Sequence, residues 1–177
     1  MTKTVVSFDI DGCLYEWHKI IHEYVTSLYK LNYSYHDFWI NYEQIIPKAD
    51  YKYLINERLD WYSCLVPQFG LVKMMHRING RFNIYYITGR PEEARNATFS
   101  WLYRYKFPNV DNLLMSKDKA SEVQRLNCKY HIDDRVEDIL AVTPYTKVII
   151  VAQPHNEIIR SGYLVADNIL DVERILK

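Results

Sequence analysis

Asp9-Ile10-Asp11-Gly12 places two carboxylates two residues apart at the end of a short β-branched and apolar run, residues 4–10. Side chains two apart on a strand point to the same face. Like charges that close repel unless a cation or a shared proton lies between them. A second acidic pair closes His131-Ile132-Asp133-Asp134-Arg135. One pair alone is equally an acidic turn, and Asp134 alone is equally a helix cap. Two pairs ending two buried strands make an oxygen-rich site suited to a hard cation such as Mg²⁺, with no soft ligands for zinc.

Two further strand ends carry polar groups. Thr88-Gly89-Arg90-Pro91 combines a hydroxyl with backbone N–H groups that enter a helix N-terminus, which is an anion site, although Thr-Gly also closes strands with no other role. Lys119 opens a helix against the dipole; Lys117 is its near rival, and either alone reads as a solvated surface lysine. His18 and His22 are four apart on one helix, the spacing of a metal pair. With no HExxH pattern and no third ligand in view, they read instead as an exposed or inward-facing pair.

These groups need a sheet to hold them. Residues 4–10, Phe82–Thr88, Tyr130–Asp133 and Lys147–Ala152 read as buried strands, and Asp111–Met115 as a short one. Helices are expected from Trp17 to Leu31, over 35–46 and 51–66, over 71–78 with a stop at Asn79-Gly80, from Pro91 to about Tyr105, over Lys119–Leu126 and 135–142, and over 168–176. The segment 153–177 carries no motif and reads as a last connection and a packing helix. After residue 80 strands and helices alternate, which marks a parallel α/β sheet. The architecture is therefore an α/β core, residues 1–13 and 73–177, interrupted by a helical insertion, 14–72.

Composition narrows the function classes. The 177 residues suit one domain with a small insertion. Lys plus Arg and Asp plus Glu are 22 each, and basic and acidic side chains nearly balance over 14–73. That argues against an extended nucleic-acid groove, though not against a short end-binding site. No apolar run is long enough to span a bilayer, and Met1-Thr2-Lys3 leads straight into a strand with no signal peptide. The three cysteines are odd in number and far apart, which fits free thiols in a reducing cytoplasm.

In their order and spacing, the four polar strand ends resemble the motifs of the haloacid dehalogenase-like superfamily of phosphotransferases. The resemblance covers residues 4–14 and 82–152. It looks most like the 5′(3′)-deoxyribonucleotidase-like branch, and it also resembles the 3′-phosphatase domain of phage polynucleotide kinase. It implies a Rossmann-like parallel sheet with flanking helices, with 14–72 at the position of a small helical C1-type cap. Cys13 departs from the usual Thr or Val.

The resemblance implies Asp9 as nucleophile and Asp11 as general acid, then base. Thr88 and Gly89 would hold a phosphoryl oxygen, and Lys119 would neutralise the transferring group. Mg²⁺ would bind Asp9, the backbone carbonyl of Asp11 and either Asp133 or Asp134, with Asp133 favoured. Arg90 and Arg135 would contact substrate phosphate or pair with acids such as Glu93 or Asp138. Tyr15, Trp17, Trp39, Tyr42 and Trp61 are aromatic side chains that could stack on a base, worth about 1–3 kcal/mol each, or simply fill the core of the insertion. Trp17 and Tyr24 lie on the apolar stripe, which leaves Tyr15 better placed to meet substrate. The expected activity is Mg²⁺-dependent hydrolysis of a small phosphate ester, a (deoxy)nucleoside monophosphate. The alternatives are a polynucleotide 3′-phosphatase and a non-catalytic nucleotide-binding module. Base preference, phosphate position and oligomeric state stay open.

Overall fold

The computed structural model describes residues 3–47, 53–54 and 56–176. Six strands form one sheet: β1 (Val5–Phe8), β2 (Asn83–Thr88), β3 (Leu113–Met115), β4 (Tyr130–Asp133), β5 (Lys147–Val151) and β6 (Leu164–Ala166). Their order is β3-β2-β1-β4-β5-β6, and every neighbouring pair is parallel. This is the doubly wound α/β arrangement expected from the alternating pattern. The strand order reverses direction between β1 and β4, and open α/β sheets bind ligands at the carboxyl ends of such neighbours.

Helices, in chain order, are α1 (Trp17–Leu28), α2 (Tyr35–Ile40), α3 (Tyr42–Ile45), α4 (Leu71–Arg81), α5 (Arg95–Arg104), α6 (Lys119–Arg125), α7 (Val136–Val142) and α8 (Val172–Ile175). Period-two alternation divides the strands between two cores. Val6, Phe8, Ile84, Tyr86, Ile132 and Ile149 join one cluster with Met74, Met75 and Ile78 of α4 and Trp101 of α5. Ile87, Val148 and Ile150 join a smaller cluster with Val123 of α6 and Ile139 and Val142 of α7. Helices thus cover both faces, as buried parallel strands require.

The segment between β1 and α4 is helical and irregular. On α1 the buried residues Trp17, Ile21 and Val25 recur every four positions, the stripe the sequence shows. These side chains, with Phe38 and Trp61, belong to the same cluster as the sheet. The helix expected over 35–46 is two short ones. Ser34 caps α2 by accepting from the Asp37 N–H at 3.1 Å, and Asn41 ends it by donating to the Asp37 carbonyl at 2.9 Å. Part of the helix expected over 51–66 lies outside the described residues. Its described end is a 3₁₀ turn, Leu59–Ser63.

Other boundaries shift for identifiable reasons. α4 runs through Asn79-Gly80 to Arg81. A Gly inside a helix costs about 1 kcal/mol, and the buried stripe Leu71, Met74, Met75 and Ile78 outweighs it. Pro91 leads into a 3₁₀ turn, Glu92–Ala94, before α5 begins. The strand β6 lies in the segment read as a connection, and the closing helix is a 3₁₀ turn followed by one turn of α-helix. The three cysteines are unpaired. Among the described residues no helix is long and apolar enough to cross a membrane.

Trp101 ties α5 to the segment after β1. It is wholly buried, meets Tyr15 edge-on at 5.0 Å between ring centroids, and donates its indole N–H to the Leu65 carbonyl at 2.7 Å. Trp101→Ala is expected to destabilise the fold by about 3–5 kcal/mol, measured by urea denaturation. Phe69→Ser, at a site 94% exposed, is expected to change it by under about 0.5 kcal/mol.

Candidate active site

The carboxyl ends of β1, β2 and β4 and the start of α6 meet at the floor of a cleft of about 820 Å³, lined by Asp9, Asp11, Thr88, Gly89, Arg90 and Lys119 among others. A tight loop follows β1. The Ile10 carbonyl accepts from the N–H groups of Cys13, Leu14 and Tyr15, and the Gly12 N–H donates back to the Tyr15 carbonyl. Gly12 has φ +78°, and a Cβ there would lie 2.2 Å from Asp134 Oδ2. The loop therefore needs a residue that tolerates positive φ and has no side chain. Glycine lets the first and fourth motifs approach each other.

Lys119 is the hub. Its ammonium lies 2.8 Å from a carboxylate oxygen of each of Asp9, Asp133 and Asp138. Asp118 starts α6 by accepting from the Ser121 N–H at 3.1 Å, and that turn sends Lys119 inward. Lys119 is buried, while Lys117 is exposed, which decides between the two lysines. Burial works to lower the Lys119 pKa, but the three carboxylates outweigh it and hold it well above the usual lysine value. Burial pushes the Asp9 carboxyl well up, and Asp133, Asp134 and Asp11 add to the rise while Lys119 opposes it.

Asp133 is fully engaged in the protein. Its Oδ1 accepts from the backbone N–H groups of Asp134 and Arg135 at 2.8 and 2.9 Å. Its Oδ2 takes Lys119 at 2.8 Å and the His131 ring at 2.9 Å. Burial would raise its pKa, but Lys119 and His131 outweigh that and bring it far below the ordinary value. The other ring nitrogen of His131 meets Ser7 Oγ at 2.8 Å, so a buried polar chain runs from Ser7 to Asp9. The sequence favours Asp133 as metal ligand, but its oxygens are already engaged within the protein. Asp134 has the opposite character. Its side chain is wholly buried and neither oxygen has a hydrogen-bond partner. An uncompensated buried carboxylate is costly unless a cation meets it. That orphaned group, beside Asp9 and against the side-chain-free Gly12, fits an oxygen-ligated divalent cation.

Arg90 does not reach outward to substrate. Its guanidinium donates two parallel hydrogen bonds to Asp11, 2.8 and 2.6 Å long, and others to Thr98 Oγ1 at 2.9 Å and the Tyr62 carbonyl at 3.2 Å. It also sits over the rings of Tyr15 and Tyr62, at 4.8 and 4.5 Å. Planar, two-point pairing of this kind fixes the carboxylate's orientation. Arg135 lies at the cleft mouth near Glu137 and Asp138, at 3.7 and 3.9 Å. Thr88 is buried, and its hydroxyl accepts from the Arg90 N–H at 3.3 Å.

Tyr15, read from the sequence as facing substrate, is packed into the core. Its ring is buried, and its hydroxyl donates to the Trp61 carbonyl and accepts from the N–H groups of Cys64 and Leu65. Trp17 stacks on Tyr62 with centroids 4.7 Å apart, Trp61 packs on Trp17 and Tyr24, and both belong to the core cluster. Trp39 and Trp17 still contribute to the cleft wall. The side chain of Tyr42 lies outside the described residues. His18 and His22 separate: His22 bonds the Tyr33 carbonyl at 3.0 Å, whereas His18 lines the cleft. Burial lowers the His18 pKa, with Asp134 opposing. Sequence reading gave His131 and His155 no role, and it named Asp138 only as a partner for an arginine, which its 3.9 Å approach to Arg135 matches. His155 follows β5, so the rule that ligands gather at the carboxyl ends of neighbouring strands was the available signal for it.

The orphaned carboxylate gives a sign-definite test. Without divalent cations, Asp134→Asn is expected to be more stable than the natural protein by about 1–3 kcal/mol, since it removes an unpaired buried charge. Added Mg²⁺ is expected to raise the thermal midpoint of the natural protein and to leave that of Asp134→Asn unchanged. Calorimetric scans with and without Mg²⁺ measure both.

A family model described as 5′ nucleotidase, deoxy (pyrimidine), cytosolic type C protein matches residues 3–177. A protein of Oceanobacillus iheyensis that bears a nucleotidase name is 35% identical over 79 residues, 41% of this chain. The matched stretch spans 42% of that relative's length. Among solved structures, a haloacid dehalogenase-like family hydrolase from Streptococcus pneumoniae superposes with a TM-score of 0.66 at 11% identity, covering 99% of each chain. A family hydrolase from Deinococcus radiodurans, solved with bound phosphate and sodium, gives 0.64 at 12% identity, covering 97% of this chain and 93% of its own. At such identities the structures speak for the fold alone. The nucleotidase model spans the α/β core and the helical segment together, and the chain belongs to the cytosolic type C deoxynucleotidase family of haloacid dehalogenase-like phosphatases.

Proposed function

We propose that the protein hydrolyses deoxynucleoside 5′-monophosphates through a phosphoryl group carried transiently on Asp9. The observation that carries this reading is the placement of Asp9. It is a buried carboxylate on the cleft floor, 2.8 Å from the Lys119 ammonium and beside the Thr88-Gly89 strand end.

A divalent cation, Mg²⁺ by the donor set, would be held by Asp9, the Asp11 backbone carbonyl and Asp134, and when bound it offsets the repulsion between Asp9 and an anionic phosphate. Lys119 opposes the rise in the Asp9 pKa and neutralises charge on the transferring group. Thr88 Oγ1 and the Gly89 N–H bind phosphoryl oxygen. An Asp9 oxygen attacks phosphorus, a new O–P bond forms and the ester P–O bond breaks. Asp11 gives its proton to the leaving alkoxide. It then takes a proton from the water that attacks the phospho-aspartate, which releases inorganic phosphate and regenerates both carboxyl groups. Arg90 is a positioning residue, because it holds Asp11 by both oxygens.

The helical segment, 14–72, is read as the cap that shapes substrate choice. Asn41 and Gln44 on its cleft side supply amide donors and acceptors for a base edge. The aromatic rings mostly pack against one another, so the nucleotide substrate rests on the family's description as deoxy and pyrimidine. The same description supports a cytosolic location.

Phosphate release with Mg²⁺ is to be measured on each ribo- and deoxyribonucleoside monophosphate and on a 3′-phosphorylated oligonucleotide. Deoxypyrimidine monophosphates are expected to turn over best, Asp9→Asn to abolish turnover, and Asp11→Asn to lower it by about 10²–10⁴-fold. Turnover of the oligonucleotide alone moves the assignment to end repair. Substantial activity in Asp9→Asn contradicts the nucleophile.

A further inference from the structure

Beyond the oxygen ligands, the Asp134 carboxylate has a second neighbourhood. His155 Nε2 lies 3.0 Å and His18 Nδ1 lies 3.8 Å from Asp134 Oδ2. The three donor atoms are all within 4.8 Å of one another. The two imidazoles both line the cleft and come from different elements, His18 from α1 and His155 from the 3₁₀ turn Pro154–Ile159 after β5. Their ring centroids are 5.0 Å apart, and His18 is braced edge-on by Trp39 at 4.5 Å.

Two of the three groups have no hydrogen-bond partner in the protein. His18 Nδ1 is buried without a hydrogen-bond partner, and so are both oxygens of Asp134, whose side chain is wholly enclosed. His155 Nε2 is close to Oδ2, yet its hydrogen bond goes to the Asp134 backbone carbonyl at 3.1 Å. Once a bound ion replaces the hydrogen bond of His155 to the Asp134 carbonyl, two imidazole nitrogens and one carboxylate oxygen form a donor set for borderline divalent ions such as Zn²⁺ and Co²⁺, whereas Mg²⁺ prefers oxygen alone. Spacing agrees. Metal–ligand bonds of about 2.0–2.1 Å in tetrahedral geometry set donor atoms about 3.4 Å apart, and the observed 3.0 and 3.8 Å bracket that edge.

We propose that His18, His155 and Asp134 form a second metal position, which takes a borderline divalent transition cation and shares Asp134 with the catalytic centre. Because α1 and the turn after β5 supply one histidine each, an ion bound there fastens the helical segment to the sheet. Its fourth position faces the cleft and is left for water or substrate oxygen.

Co²⁺ added to metal-free protein is the probe, read by its visible d–d absorption and by calorimetric titration, neither of which needs turnover. The natural protein is expected to bind Co²⁺ with tetrahedral or five-coordinate absorption. His18→Asn and His155→Asn are each expected to weaken that binding by 10-fold or more, on the order of what loss of a metal's supporting group costs. Asp9→Asn is expected to retain it, which separates this position from the oxygen-ligated one. Zn²⁺ is expected to raise the thermal midpoint of the natural protein and not that of His18→Asn. Far-UV circular dichroism first establishes that each variant is folded. The proposal is overturned if both histidine variants bind Co²⁺ as tightly as the natural protein, or if Asp9→Asn alone abolishes binding.

Discussion

The site depends on one buried ammonium shared among three carboxylates. Lys119 meets Asp9, Asp133 and Asp138 at 2.8 Å each, and these residues come from β1, β4 and α7. A lysine placed there without its acids would lose its charge to desolvation, and the acids without the lysine would repel one another apart. The contacts therefore hold each other in place, and they set the spacing of three elements that the sheet only roughly aligns. The balance is incomplete: Asp134 adds a further wholly buried carboxylate with no hydrogen-bond partner, faced by the rings of His155 and His18 at 3.0 and 3.8 Å. That excess negative charge is the physical reason for a cation at this point in the fold.

A second electrostatic pair does separate work. Arg90 and Asp11 neutralise each other, and the guanidinium is sandwiched between Tyr15 and Tyr62. Tyr15 in turn anchors Trp61, Cys64 and Leu65 through its hydroxyl. The carboxyl expected to move protons is thus tied to the helical segment, while the carboxyl expected to attack phosphorus is tied to the sheet. Movement of the helical segment would act on the first and spare the second. His18 and His155 add a third link between the same two parts.

Much of this was legible in the residues. The central strands and the strand-end carboxylates follow from local pattern, because parallel strands are continuously apolar and their polar ends stand out, whereas Lys119 stood out only through the family resemblance. Partner choice was not legible. Arg90 follows a motif that suggests an outward contact, yet it turns inward because Asp11 and two tyrosine rings lie there. Tyr15 likewise follows a motif and is consumed by packing. Asp133 and Asp134 are adjacent and chemically identical in sequence. Only three dimensions show that one is saturated by Lys119, His131 and backbone N–H groups while the other is bare. The strand β6, three residues at the sheet edge, lies in a segment read as a connection.

The most direct measurement is to trap the covalent intermediate. Enzyme turning over a phosphate-labelled deoxynucleotide is quenched in acid within the first cycle, digested and weighed by mass spectrometry. If Asp9, paired with Lys119 at 2.8 Å, is the nucleophile, the peptide that contains it carries one phosphoryl group, and hydrolysis at neutral pH removes it. Rapid phosphate release with Asp9 unlabelled at every quench time, or a label on any other residue, contradicts the mechanism.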